Sequence, residues 1–269
     1  MNLLFRTSVV YKTIKITEYY ISQLSHYRVA LVFRVINGLF PFITMFVWLS
    51  ISNGSLRFQG MSKQEIVLYF FGVFIVGQMI SSPIVGSLDK DIRTGRLANR
   101  LLLPLNPAYY YFGNKLSYAV SGLPYLFIPI AGYIALSSEP LQLASTAILF
   151  IPSVSMAIAL HFSRQYLIGI LSFWTDKSTS IDRLLESIQH LCSGSFIPLM
   201  LLSDPVREIL MWTPFPYTVY APVAMLLPGE QIGELYRLLL GQLAWLIIFH
   251  VSIRIVWKNG IQRFGDQGS

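Results

Sequence analysis

The sequence predicts an all-α integral membrane protein with six transmembrane helices, and three observations carry that prediction. Of 269 residues, 54% are hydrophobic and only 12% are charged, against roughly 25% charged residues in a soluble domain. Apolar runs recur at about the 20-residue length that a helix needs to cross a bilayer. Lysine and arginine gather in alternate segments between those runs, as the positive-inside rule requires of a multi-pass chain.

The elements follow in order. Ahead of the first apolar run, Val10, Ile14, Ile21 and Leu24 recur at helical spacing while Lys12 and Lys15 lie off that stripe. Residues 1–28 are therefore expected to form an amphipathic helix in the cytoplasmic interface. No compact apolar stretch with a small-residue cleavage site is present there, so no cleavable signal peptide is expected. The six spans run over 30–52, 66–88, 115–136, 141–163, 184–203 and 235–257. Arg34 and Asn37 lie one turn apart in the first. An intramembrane arginine is a functional candidate, but Arg34 is close enough to the span's end for its long side chain to snorkel to the interface.

Between the second and third spans, residues 89–107 form a dense charged island. Before the last span, residues 204–230 are aromatic and apolar but broken by Pro214, Pro216 and Pro222. They cannot form one straight helix. Short helices at the outer leaflet are expected instead, where Trp and Tyr are favoured. No internal repeat or low-complexity linker divides residues 1–269, which are read as a single membrane domain.

An even number of spans puts both termini on one side. With the termini inside, the cytoplasmic segments carry Arg6, Lys12, Lys15, Arg28, Lys90, Arg93, Arg96, Arg100, Lys115, Arg164, Lys177, Arg183, Arg254, Lys258 and Arg263. The opposite side carries only Arg57, Lys63, Arg207 and Arg237. The termini are therefore expected in the cytoplasm. The net charge of +7 follows from this asymmetry and does not indicate nucleic acid, because no basic patch is interleaved with solvent-exposed aromatics.

Several chemistries lack their residues. There is no G-x-x-x-x-G-K-[ST], no H-E-x-x-H and no G-x-S-x-G, so ATP binding by a P-loop and the corresponding hydrolase mechanisms are not expected. His26, His161, His190 and His250 show no ligand spacing, and Cys192 is the only cysteine. Neither a metal site nor a disulfide within the chain is expected. Asp89, Asp91, Asp176, Asp182, Asp204 and Glu208 lie near or beyond the ends of the expected spans. That argues against a proton-coupled carrier, which needs a titratable group inside the membrane. Asp89 and Asp91 are also too few to hold magnesium diphosphate for a membrane transferase.

The island is more than a topological marker. Positive-inside charge accounts for Arg93, Arg96 and Arg100 but not for the apolar residues set between them. At helical spacing, Ile92, Leu97 and Leu101 can form a docking face, and the arginines beside them can meet acidic residues of a partner. Gly95 permits close backbone approach, and Pro104 stops the helix and redirects the chain.

Asp91-Ile92-Arg93-Thr94-Gly95-Arg96-Leu97 through Leu103-Pro104-Leu105 resembles the first cytoplasmic loop of ABC-2-type permeases, which reads I-x-x-G-x-L and then L-x-P-[LI]. Further on, Phe173-Trp174-Thr175 and Ser193-Gly194-Ser195-Phe196-Ile197-Pro198-Leu199 are similar to the family's fifth-span region. Pro214-Phe215-Pro216-Tyr217 with Tyr220-Ala221-Pro222 resembles its P-F-x-Y-x-x-Y-x-P segment. Leu103 stands where the family often has arginine, so no charge contact is implied at that position.

The resemblance implies a permease subunit of an ATP-driven exporter in a bacterial inner (plasma) membrane. Its partners would be two cytosolic ATP-binding subunits and a second permease, forming a homo- or heterodimer. The chain itself would hold no cofactor and catalyse no reaction, ATP and magnesium being bound by the partner. Asp91, Ile92, Arg93, Gly95, Arg96, Leu97, Arg100, Leu101 and Pro104 would couple to the ATPase. Asn37, Gln78 and Ser193 would lie near the pathway, with Phe215, Tyr217 and Tyr220 closing it on the outer side. A non-transporting membrane scaffold or insertion factor, and an ion-gradient-driven carrier, are the alternatives from other classes.

Overall fold

The computed structural model describes residues 2–24, 36, 38–51, 57–58, 61–103, 105–127, 145–228 and 231–266. Among these residues, regular structure is helical apart from one short hairpin, in which β1 (Arg57–Phe58) pairs antiparallel with β2 (Met61–Ser62). Arg34, Asn37 and Pro104 lie outside the described residues, as do 128–144, where the expected third span ends and the fourth begins.

The N-terminal segment is helical over α1 (Asn2–Leu24). It packs against α6 (Pro107–Gly122). Thr17 Oγ1 donates to the Gly113 carbonyl at 3.2 Å, and Tyr20 meets Tyr110 edge to face at 5.5 Å. Gly113 permits this approach, since a Cβ there would lie 2.8 Å from Ile16 Cγ2. Ile14 stays exposed.

The first apolar run is described as α2 (Phe40–Ile51), which packs on α3 (Lys63–Ile80) through Phe42 against Phe71 and Phe74. Helix α3 starts at a capping box in which Ser62 and Glu65 satisfy each other's backbone N–H groups, at 3.2 and 2.7 Å. The expected second span is not one continuous helix. It breaks at Ser81-Ser82-Pro83 and resumes as α4 (Ile84–Arg93), because Pro83 has no N–H to donate and its ring clashes with the preceding turn.

Gly95, at φ +71°, then turns the chain into α5 (Arg96–Leu101). Helix α6 starts at Pro107, ahead of the expected 115, with Asn106 accepting from the Ala108 N–H at 2.9 Å. After a 3-10 turn at Ser145–Leu149, α7 (Phe150–Ile170) extends past the expected end at 163.

The expected fifth span, 184–203, is also interrupted. Helix α8 covers Ser178–Cys192 and ends where Gly194 adopts φ +88°. Tyr69 OH donates to the Gly194 carbonyl at 2.7 Å, and a Cβ on Gly194 would lie 2.5 Å from that hydroxyl. The Pro-rich segment forms short helices, as its prolines require: α9 (Asp204–Met211), a 3-10 turn at Pro216–Thr218, and α10 (Tyr220–Ala224). The last helix, α11 (Ile232–Asp266), runs beyond the expected span at both ends.

Among the described residues, three stretches are long and apolar enough to cross a membrane: Lys63–Arg93, Thr146–Phe173 and Ile232–Gly265. Phe40–Ile51 is a shorter apolar helix. Among the described residues, two apolar cores hold the helices together. One gathers α3, α10 and the first part of α7 around Tyr69, Phe70, Val76, Ala157, Ala221 and Val223. The other gathers α4, α6, the end of α7 and α11 around Ile84, Leu88, Leu97, Tyr111, Tyr166 and Phe173.

Candidate functional site

The elbow formed by α4, Gly95 and α5 is clamped from inside. Asp91 is almost wholly buried and accepts a hydrogen bond from Tyr111 OH at 2.8 Å. The same carboxylate pairs with Arg100 Nη2 at 2.6 Å and faces Arg96 Nε at 3.5 Å. Arg100 also lies over the Tyr110 ring, with its guanidinium carbon 3.6 Å from the centroid. One carboxylate thus ties α4, α5 and α6 together, and a chain of aromatic contacts continues from Tyr110 to Tyr20 on α1.

Asp89, two residues earlier, ties the other side. It accepts from Arg93 at 2.8 Å, and from Ser172 and Ser178 at 2.8 and 2.9 Å. Helix α4 is thereby fixed to the 3-10 turn Leu171–Phe173 that follows α7 and to the start of α8.

This geometry revises the expected docking face. Ile92 and Leu97 are 7% and 0% exposed and pack into the chain's own second core. There they stabilise the elbow from within the chain. Arg100 is likewise engaged internally. The outer surface is made by Arg93, Arg96, Leu101, Leu102 and Leu103, with Leu102 83% exposed. Within the chain, Gly95 serves conformation: nothing lies within 4 Å of the position its Cβ would take. A positive φ favours glycine whatever the space.

Directly behind the elbow, at the α3–α4 break, lies a buried ionic network that the sequence did not reveal. It sits where the two cores meet. The break at Ser81-Ser82-Pro83 leaves backbone carbonyls without helical partners, and buried side chains supply the donors. Lys115 Nζ, fully buried, donates to the Ile80 carbonyl and to Ser82 Oγ. Gln165 donates to the Ser82 carbonyl at 2.7 Å and accepts from Ser82 Oγ at 2.8 Å.

Lys115 Nζ also lies 3.2 Å from His161 Nδ1. An ammonium can only donate, so Nδ1 accepts and the ring proton sits on Nε2, which faces Glu186 Oε1 at 3.2 Å. Arg164 Nη2 donates to the same oxygen at 2.6 Å, and its Nη1 lies 3.6 Å from Asp182. Two cations thus face two carboxylates around a neutral imidazole, the balance that buried charge requires. Lys115 and Arg164 were expected only as topological markers at span ends. Pro83 inside an apolar run was the signal for a break that needed buried donors.

The expected pathway residues are only partly brought together. The Ser193 carbonyl accepts the Tyr220 N–H at 3.1 Å, and Ser193 Oγ pairs with Ser195 Oγ at 2.8 Å. Both Ser193 and Tyr220 are buried. Gln78, also buried, packs against Gly38, where a Cβ would meet its amide at 2.3 Å. Tyr217 OH donates to the Met211 carbonyl at 3.0 Å, and its ring lies on Gly241 of α11. Phe215 is half-buried, and its carbonyl accepts from Thr218. Among the described residues, no group of three or more His, Cys, Asp or Glu side chains is placed to hold a metal ion.

Among curated proteins, none matches the chain in sequence. The family described as ABC-2 family transporter protein matches residues 38–268, a region that takes in the elbow, the ionic network and the aromatic turns. Its members are membrane transport components rather than enzymes in themselves. Buried charge, a clamped elbow and membrane-length helices therefore sit within a known frame: the chain belongs to the ABC-2 family of transporter proteins.

Proposed function

We propose that this chain is the permease subunit of an ATP-driven exporter. In this reading it spans the plasma membrane six times with both termini in the cytoplasm, and forms half of the translocation pathway with a second permease, identical or related. Two cytosolic ATP-binding subunits, which bind ATP and magnesium, drive it. The single observation that supports the reading best is the elbow. Force from an ATPase can move membrane helices only through a docking element rigidly joined to them. Asp91, Asp89 and the buried Ile92 and Leu97 join α4 and α5 to α6, α7 and α8. Arg93, Arg96, Leu101, Leu102 and Leu103 stay outside, a basic and apolar surface suited to an acidic-rimmed groove.

The outer segment 204–230, with Phe215, Tyr217 and Tyr220, closes the pathway in this reading. Gln78 and Ser193, buried within the protomer, act as helix-packing groups rather than as its lining.

The test is affinity capture of the tagged full chain co-expressed with ATP-binding subunits. Association of the wild type, weakened at least tenfold by Arg96→Glu and by Leu102→Asp, is the expected result. A chain that reaches the membrane folded yet captures no ATP-binding subunit rules out the permease reading. A captured subunit indifferent to both substitutions rules out the elbow as its docking element.

A further inference from the structure

The C-terminal half of α11 is locked in rotation by its inner face. Trp257 stacks on Tyr166 at 5.8 Å and meets Phe173 at 5.9 Å, and Phe264 meets Phe173 at 5.9 Å. Gly260 lies against the Phe173 ring, which leaves no room there for a Cβ. The opposite face is thereby fixed outward. On it Leu240, Ile247, Val251, Arg254 and Lys258 are all exposed, and at 3.6 residues per turn these five fall within an arc of roughly 60°. Among the membrane-length stretches, the one in α11 is the least buried.

The strip is also sorted along its length. Leu240 to Val251 covers roughly 16 Å of helix, about half the thickness of a bilayer's hydrocarbon core. Arg254 and Lys258 follow, one turn apart. No acid offsets them: α11 has no carboxylate between Glu234 and Asp266, and among the described residues none pairs with Arg254 or Lys258. Arg237, towards the other end of the same helix, does have a partner, Glu234 at 2.8 Å. Two unpaired cations at the foot of an apolar track one leaflet long match an amphiphile with an anionic head and a hydrocarbon tail. His250, exposed on the edge of the strip one turn before Arg254, stands at the level of the glycerol esters, to which an imidazole N–H can donate.

We infer that this strip is a binding site for one anionic phospholipid of the cytoplasmic leaflet. Its phosphodiester lies between Arg254 and Lys258, and one acyl chain runs along Val251, Ile247 and Leu240. The bound headgroup fixes the depth of α11, and with it the level of the aromatic core behind Trp257. Only the choice of leaflet rests on the proposed topology. The binding itself does not depend on the permease reading.

The experiment is native mass spectrometry of the full chain released from micelles. The chain is titrated with palmitoyl-oleoyl phosphatidylglycerol, with phosphatidylcholine of the same chains, and with water-soluble glycerol 3-phosphate. Near a membrane surface each lysine or arginine strengthens the attraction to anionic lipid about fivefold. Half-saturation by phosphatidylglycerol at a concentration at least tenfold lower than by phosphatidylcholine is therefore the expected result. Arg254→Gln combined with Lys258→Gln should bring that ratio below threefold. Lys12→Gln combined with Lys177→Gln removes the same charge elsewhere and should leave the ratio within twofold of wild type. A wild-type ratio below tenfold, an equal fall in the control pair, or glycerol 3-phosphate binding as tightly as the lipid overturns the inference. So does a disulfide joining most copies of a Val251→Cys chain in a Cys192→Ser background, because a second chain would then cover the strip. If the double variant fails to fold, Lys258→Gln alone, expected to lower the ratio about fivefold, decides. No ATP-binding subunit takes part, so loss of the lipid preference leaves the permease reading standing. Failure to capture an ATP-binding subunit likewise leaves the lipid site standing.

Discussion

Asp91→Asn removes the charge at the centre of the elbow while keeping the side chain's shape, and its cost can be worked from the contacts. The carboxylate is 4% exposed and receives Arg100 at 2.6 Å and Tyr111 at 2.8 Å. An exposed pair would contribute at most about 1 kcal/mol, but removing one partner of a buried pair costs about 3–5 kcal/mol. Arg100 keeps 18% of its side chain in solvent and its stacking on Tyr110, which places the cost near the lower end, about 3 kcal/mol. At roughly 2 °C per kcal/mol for a chain of this size, the unfolding midpoint should fall by roughly 6 °C.

The assay is a double-mutant cycle of Asp91→Asn and Arg100→Gln, read by thermal unfolding of the purified chain in micelles. If the two groups stabilise the elbow as a pair, the double variant loses less than the sum of the single losses, by about 1.5 kcal/mol or more. Additivity within about 0.5 kcal/mol would show that the pair does not couple, and would refute the clamp.

Three further outcomes follow from the same geometry. Gly95→Ala should cost about 1 kcal/mol from its left-handed backbone alone, and Gly95→Asn measurably less, as thermal unfolding of the two variants would show. Lys115→Met removes the donor to the Ile80 carbonyl and unbalances the buried charges, so amide exchange over 78–86 should accelerate at least tenfold while exchange in α11 stays slow. Gly113→Leu should lift α1 from α6, and limited proteolysis should then cut within 11–22 without first degrading the remaining helices.

Much of this architecture can be read from the chain, and what cannot has a physical reason. The apolar runs point to three membrane-length stretches among the described residues because membrane length is a composition property, and the prolines at 214, 216 and 222 force the short helices that are found. The elbow is legible from Gly95 and the surrounding charge. The partner of its apolar side is not. Ile92 and Leu97 must be buried somewhere, but spacing alone does not distinguish a partner's groove from the chain's own Tyr111 and Tyr166. The ionic network is hidden for a similar reason. A lysine at a span end looks the same in sequence whether it faces water or a broken helix, and only Pro83 hints at the second. Gly194 marks the interruption of α8, yet its φ and the hydroxyl of Tyr69, 125 positions away, are tertiary facts.

Site-specific photo-crosslinking tests the central claim, that the elbow receives the motor, most directly. A photoreactive residue at Leu102, in the full chain co-expressed with ATP-binding subunits, should give a crosslink to the ATP-binding subunit. The same residue at Ile148, exposed on the 3-10 turn before α7, should give none. No ATP-binding subunit crosslinked at 102, in a complex that purifies intact, would contradict the account.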